Sequence, residues 1–144
     1  MKKRKIGIKL SRGQAARKAL FRSLIGALVE RGSIETTETK AKAIEGKIAK
    51  LVISAKNDNV TSRRKIYSFF GNNRKITDEL FDIVKKNFSK RNAGFTRIVK
   101  LPTRRGDGAR MVNIEWVKDK TTLEKEPKKE KQVKNVRKQI KSKK

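Results

Sequence analysis

Apolar residues recur along this chain at two spacings, and the switch between them separates a helical stretch from a strand-bearing one. Ala16, Leu20, Leu24 and Leu28 stand four apart with Phe21 and Ile25 beside them, the mark of an amphipathic helix. That helix is expected to start from a cap at Ser11 and run to about Val29, closed by Arg31-Gly32, because a basic residue and a glycine suit a helix end. A second stripe, Ala41, Ile44, Ile48, Leu51 and Ala55, steps by three and four and predicts a helix entered through Thr37 or Thr39. The β-branched segment Ser33–Thr37 between them reads as a short strand or an extended connector. After the turn cluster Asn57-Asp58-Asn59, a third helix is expected across Val60–Phe70 and a fourth across 76–88, with Gly71-Asn72-Asn73 separating them. The period then changes to two over 95–101 and 111–117, a hairpin whose long loop holds Arg104-Arg105-Gly106-Asp107-Gly108. The expected class is α+β: about four helices packed on a small sheet containing a C-terminal β-hairpin.

Charge changes the picture at both ends. Residues 1–12 hold Lys2, Lys3, Arg4, Lys5, Lys9 and Arg12 and no acid, so they read as a basic arm. Alternation of Ile6, Ile8 and Leu10 leaves a short strand as the other reading of the arm. From Lys118 to the end there are twelve basic and four acidic residues with few apolar ones, the composition of a disordered basic tail. Val133, Val136 and Ile140, spaced by three and four, leave open a helix there on binding. The organisation is therefore an arm over 1–12, a globular domain over 13–117 and a tail over 118–144. The whole chain carries +27, of which +8 belongs to the tail and +19 to the rest. A charge of that size repels itself unless a polyanion offsets it, and nucleic acid is the natural one.

The same composition excludes much chemistry. With no cysteine and no histidine, there is no disulfide framework, no thiol nucleophile, no imidazole base and no common zinc site. No GxGxxG or P-loop pattern occurs, and no apolar run approaches a membrane span. Basic residues interrupt every window that would make a signal peptide, so the chain reads as cytoplasmic. No cofactor, metal, membrane or small-molecule substrate is expected. Asp78, Glu79 and Asp82 are the best acidic cluster for a magnesium-dependent nuclease. Their place near the start of a predicted helix, where carboxylates favour the dipole, accounts for them without metal.

What remains is binding. The basic arm, the helix face carrying Arg17, Lys18 and Arg22, and the hairpin loop with Arg104 and Arg105 form three separated cationic elements. Folded RNA presents phosphates at many angles, and such elements suit one irregular surface. A DNA-compacting architectural protein would use the same charge. Phe95 and Trp116 are flanked by Ile98, Val99 and Ile114 and read as core rather than as base-stacking platforms.

Several strings resemble a known family. Met1, Arg4-Lys5, Gly7, Lys9-Leu10 and Arg12 resemble the basic opening of the bacterial large-subunit ribosomal protein seventeen family, and Arg17, Ala19 and Arg22 its first helix. Thr36-Thr37 with Lys40-Ala41-Lys42 resembles the entrance to its second helix. Phe95-Thr96-Arg97-Ile98, Lys100, Arg104-Arg105-Gly106-Asp107, Ala109, Met111 and Ile114-Glu115 resemble its closing hairpin. The resemblance spans about residues 1–117 and departs at Lys3 and Ala16, where the family commonly has histidine. It implies a non-catalytic α+β protein on the outer face of the large subunit near the peptide exit tunnel. Such a protein would bind large-subunit ribosomal RNA and touch neighbouring ribosomal proteins. It also implies that Lys2, Arg4, Lys5, Lys9, Arg12, Arg17 and Arg22 face RNA, with Arg97, Arg104 and Arg105 as secondary candidates. Lys3 and Lys18 extend the arm and the helix face.

Overall fold

In the computed structural model, which describes residues 8–117, four helices pack together beside a three-stranded antiparallel sheet, and the first two of them lie against it. The order is α1 (Gln14–Arg31), β1 (Ser33–Thr37), α2 (Glu38–Asn57), α3 (Val60–Phe70), α4 (Arg74–Asn87), β2 (Thr96–Lys100) and β3 (Met111–Trp116). The α+β reading and the C-terminal hairpin therefore hold. Lys2, Lys3, Arg4 and Lys5, the tail over 118–144 and the stripe of Val133, Val136 and Ile140 lie outside the described residues.

The start of α1 differs from the cap expected at Ser11. Leu10 and Ser11 both take left-handed backbone (φ 56° and 50°) in a turn closed by the Arg12 N–H on the Lys9 carbonyl at 3.3 Å. Gly13 is the N-cap and offers no side-chain bond. The helix buries Phe21, Ile25, Leu28 and Val29, while Ala16 is exposed and Leu20 and Leu24 are half-buried. A strict four-residue step advances about 40° around a helix of 3.6 residues per turn. Ala16 thus ends far from Leu28 on the helix circumference, and the buried stripe follows the steps of three and four instead. In α2 the same geometry places Val52 in the buried stripe and Leu51 at its edge.

The two helix-to-helix turns that follow α2 are capped as their sequences require. Asn59 and Asn73 accept from the N–H groups of Ser62 (2.7 Å) and Ile76 (3.3 Å), fixing the starts of α3 and α4. Helix α3 stops at Gly71 (φ 66°), whose N–H reaches the Ser68 carbonyl while the Asn72 N–H reaches that of Tyr67. This is the paired closure that glycine permits at helix ends.

In the sheet β3 is central, pairing with β1 (Ile34 opposite Ile114) and with β2 (Ile98 opposite Ile114). Ile34, Val112, Ile114 and Trp116 are buried, and alternation turns Glu35, Asn113, Glu115, Arg97 and Val99 to the other face. The core joins Ile34, Ile114 and Trp116 to Ile44, Ile48, Val52, Ile66, Leu80, Val84 and Phe88. Each fully buried aliphatic side chain contributes about 1.5–3 kcal/mol. Phe95 and Trp116 are buried against Phe88, with ring centroids 5.2 and 5.7 Å from it, and the Trp116 indole donates to the Leu28 carbonyl at 3.1 Å. Both aromatics are core.

Candidate nucleic-acid interface

On α1, residues 14, 17, 18, 21 and 22 fall three and four apart and so share one face. That face, with Lys47 of α2 and Lys65, Ser68 and Phe69 of α3, lines an open groove of about 690 Å³. Five cations, Arg17, Lys18, Arg22, Lys47 and Lys65, border it, and no carboxylate of the described residues does. Among the described residues, no ion pair reaches Lys18, Lys47 or Lys65.

Arg22 is held in place by the way α3 ends. The closure at Gly71 leaves the Phe69 carbonyl without a backbone donor, and the Arg22 Nε–H donates to it at 2.7 Å. A cation at a helix C-terminus also meets the negative end of the helix dipole. A Cβ at Gly71 would lie 3.0 Å from Arg22 Nη1, so the glycine serves both the turn and the close packing of the guanidinium. Arg17 donates through Nη1 to the Arg12 carbonyl at 3.2 Å, and Arg12 to the Leu10 carbonyl at 2.9 Å, which fasten the residues before α1 to its first turn. Lys9 and Arg12 are exposed there.

The carboxylates are used elsewhere. Asp58 accepts from Arg63 through Nε and Nη2, both at 2.7 Å, and lies 3.3 Å from Lys85 Nζ, tying the α2–α3 turn to α4. The Arg63 hydrogen bond, aided by Lys85, holds the Asp58 carboxyl below its ordinary range. The Arg63 guanidinium also stands 4.9 Å over the Phe81 ring. Glu38 pairs with Lys42 at 2.6 Å within α2.

The hairpin loop is organised internally. Arg104 forks onto Asp107 through Nε (3.1 Å) and Nη2 (2.5 Å), and Asp107 also accepts from the Ala109 N–H at 3.2 Å. The Arg104 hydrogen bond and then the Ala109 one pull the Asp107 carboxyl down to about 2. Arg105 sits exposed in the turn with no partner among the described residues, so Arg104 shapes the loop and Arg105 is presented by it. Arg97 lies on the outer sheet face, 3.8 Å from Glu115 on the neighbouring strand.

The structure thus brings Arg17, Lys18 and Arg22 together and keeps Arg97, Arg104 and Arg105 out of the groove. Lys47 and Lys65 are additions that charge alone did not single out. Lys47 lies off the apolar stripe of α2, and Lys65 ends an Arg63-Arg64-Lys65 run in which nothing local marks the groove-facing member. The acidic trio behaves differently from its expected position. Helix α4 begins at Arg74 with no acid in its first turn, so Asp78, Glu79 and Asp82 lie deeper in the helix than a dipole role requires. Asp78 accepts from the Tyr67 hydroxyl at 3.4 Å, and one Glu79 oxygen is buried without a partner. Among the described residues no group of three acids is placed to hold a metal ion.

The fold is small and α+β, and its described residues include an acid-free cationic groove lined by three helices. The chain belongs to the ribosomal protein L17 family, whose model matches residues 20–117. It is similar to the large ribosomal subunit protein bL17 of Desulforapulum autotrophicum, 39% identical over 119 residues, covering 83% of this chain and 98% of that one. Similar too are the proteins of that name from Clostridium botulinum and Clostridium perfringens, each 38% identical over 109 residues, covering 76% of this chain and 96% of theirs.

Proposed function

We propose that this protein is a structural constituent of the large ribosomal subunit, cytoplasmic and non-catalytic, that binds and stabilises folded large-subunit ribosomal RNA near the peptide exit tunnel. The observation that carries the reading is the groove of five cations with no carboxylate beside it. Lysine and arginine that displace counterions from phosphates supply affinity, and a rigid helical frame selects RNA shape rather than sequence. The arm over 1–12, with Lys2, Lys3, Arg4, Lys5, Lys9 and Arg12, adds RNA-binding charge to that of the globular part over 13–117, and the tail over 118–144 adds +8 of non-specific charge. Arg105, with Arg104 behind it and Arg97 on the outer sheet face, makes secondary contacts, and neighbouring large-subunit proteins are the remaining partners.

The test is sedimentation of the tagged full-length chain with ribosomal particles, together with its binding to purified large-subunit RNA. Presence in the large-subunit fraction and an affinity that falls steeply with salt are expected. Absence from that fraction, or displacement of the RNA by an equal mass of random duplex DNA, would overturn the reading.

A further inference from the structure

The groove between α1, α2 and α3 includes an aromatic ring that a phosphate-only surface does not need. Its cations come from three different helices, and Phe69, half-buried, lies among them with Ser68 beside it. Lys18, Lys47 and Lys65 are exposed and without ion-pair partners among the described residues, whereas Arg22 is held on the Phe69 carbonyl. The groove's roughly 690 Å³ is the size of sites that enclose one small organic group, about 300–1,000 Å³. An aromatic ring within a basic cleft is the arrangement that holds unpaired strands, since every base has a face to stack while the backbone follows the charge.

We propose that this groove holds an unpaired stretch of RNA, its phosphates on Lys18, Lys47 and Lys65 and one base laid against Phe69. The fixed Arg22 guanidinium presents its two Nη groups as a planar fork to a phosphate or base edge. Ser68 supplies a hydroxyl for a ribose 2′-OH, the group that separates RNA from DNA. This inference rests on the RNA-binding reading and narrows it to one place and one RNA form.

The experiment measures binding of full-length protein to a labelled short oligouridylate, with competition by duplex RNA of equal nucleotide content, and in parallel to large-subunit RNA. The proteins are wild type, Lys47→Ala/Lys65→Ala and Phe69→Leu, with Trp116 fluorescence reporting that each is folded. Loss of two phosphate contacts should flatten the salt slope for the oligonucleotide by about 1.4, at roughly 0.7 per contact on single strands. Loss of the ring should weaken oligonucleotide binding roughly fivefold to 150-fold, with the slope unchanged. Equal competition by the duplex, or variants that bind the oligonucleotide as wild type does, would overturn the groove assignment while large-subunit RNA still binds. Failure of the wild type to bind large-subunit RNA would overturn the assignment and the reading beneath it together.

Discussion

Two basic regions of this molecule put their charge to opposite uses. Around Asp58 one carboxylate gathers Arg63 and Lys85 from two helices, and the guanidinium packs over Phe81. There the charge serves the fold. Along the groove, Lys18, Lys47 and Lys65 face no carboxylate among the described residues, and Arg22 is fixed by a carbonyl that neutralises nothing. The difference shows that a net charge of +27 does not by itself locate a binding surface. The state of pairing does, because a cation already offset by a neighbour has little left for a phosphate, while an unpaired one releases counterions on contact.

The largest effect should follow from removing that distinction. Reversing Lys18, Lys47 and Lys65 to glutamate gives the groove the carboxylates it lacks, and affinity for large-subunit RNA at low salt should fall on the order of a hundredfold. Filter binding measures this, and circular dichroism should be unchanged because all three side chains are exposed. An undiminished affinity would place the binding surface elsewhere. Next in size is Gly71→Ala. Left-handed backbone costs a residue with Cβ about 1–2 kcal/mol, and the new methyl would press on Arg22. Thermal unfolding should occur several degrees lower, at about 4–8 °C per kcal/mol for a domain of this size, and RNA affinity should weaken with it. A smaller change is expected from Asp58→Asn, which releases Arg63 and Lys85. The melting temperature should fall modestly while RNA affinity holds or rises, and a fall in affinity would mean that the two regions are not distinct.

The smallest effect belongs to the hairpin loop. The Asp107 carboxyl titrates at about 2, below its ordinary 3.8, because its charged form is held by Arg104 and the Ala109 N–H. A depressed carboxylate stabilises the folded loop above pH about 4, and that contribution is lost as pH falls from there toward 2. Amide resonances of Gly106 and Gly108 should move across that window in wild type and stay still in Asp107→Asn. With no histidine, nothing comparable should occur between pH about 6 and 8.

How legible these regions were depended on whether the cause was local. The span of α3 is fixed by Asn59 at one end and Gly71 at the other, both recognisable in the sequence, and its predicted bounds match those observed. At α1 a serine resembling a cap sits instead in a left-handed turn, and a run of leucines four apart concealed the true stripe by drifting around the helix. Strand β1 was readable as extended, but its pairing with β3 joins Ser33–Thr37 to residues some eighty positions away. The groove has the same origin. Arg17, Lys18 and Arg22 are marked by their spacing on one helix, whereas Lys47 and Lys65 join them only because three helices pack together.

The most direct test of this division of charge is a salt titration of large-subunit RNA binding by three proteins: wild type, Lys18→Ala/Lys47→Ala/Lys65→Ala, and Arg63→Ala/Lys85→Ala. Each lost phosphate contact flattens the slope of log affinity against log salt by about 0.7–0.9. The groove variant should lose about 2 or more from that slope and the Asp58-corner variant almost none. Equal losses in the two variants would contradict the account.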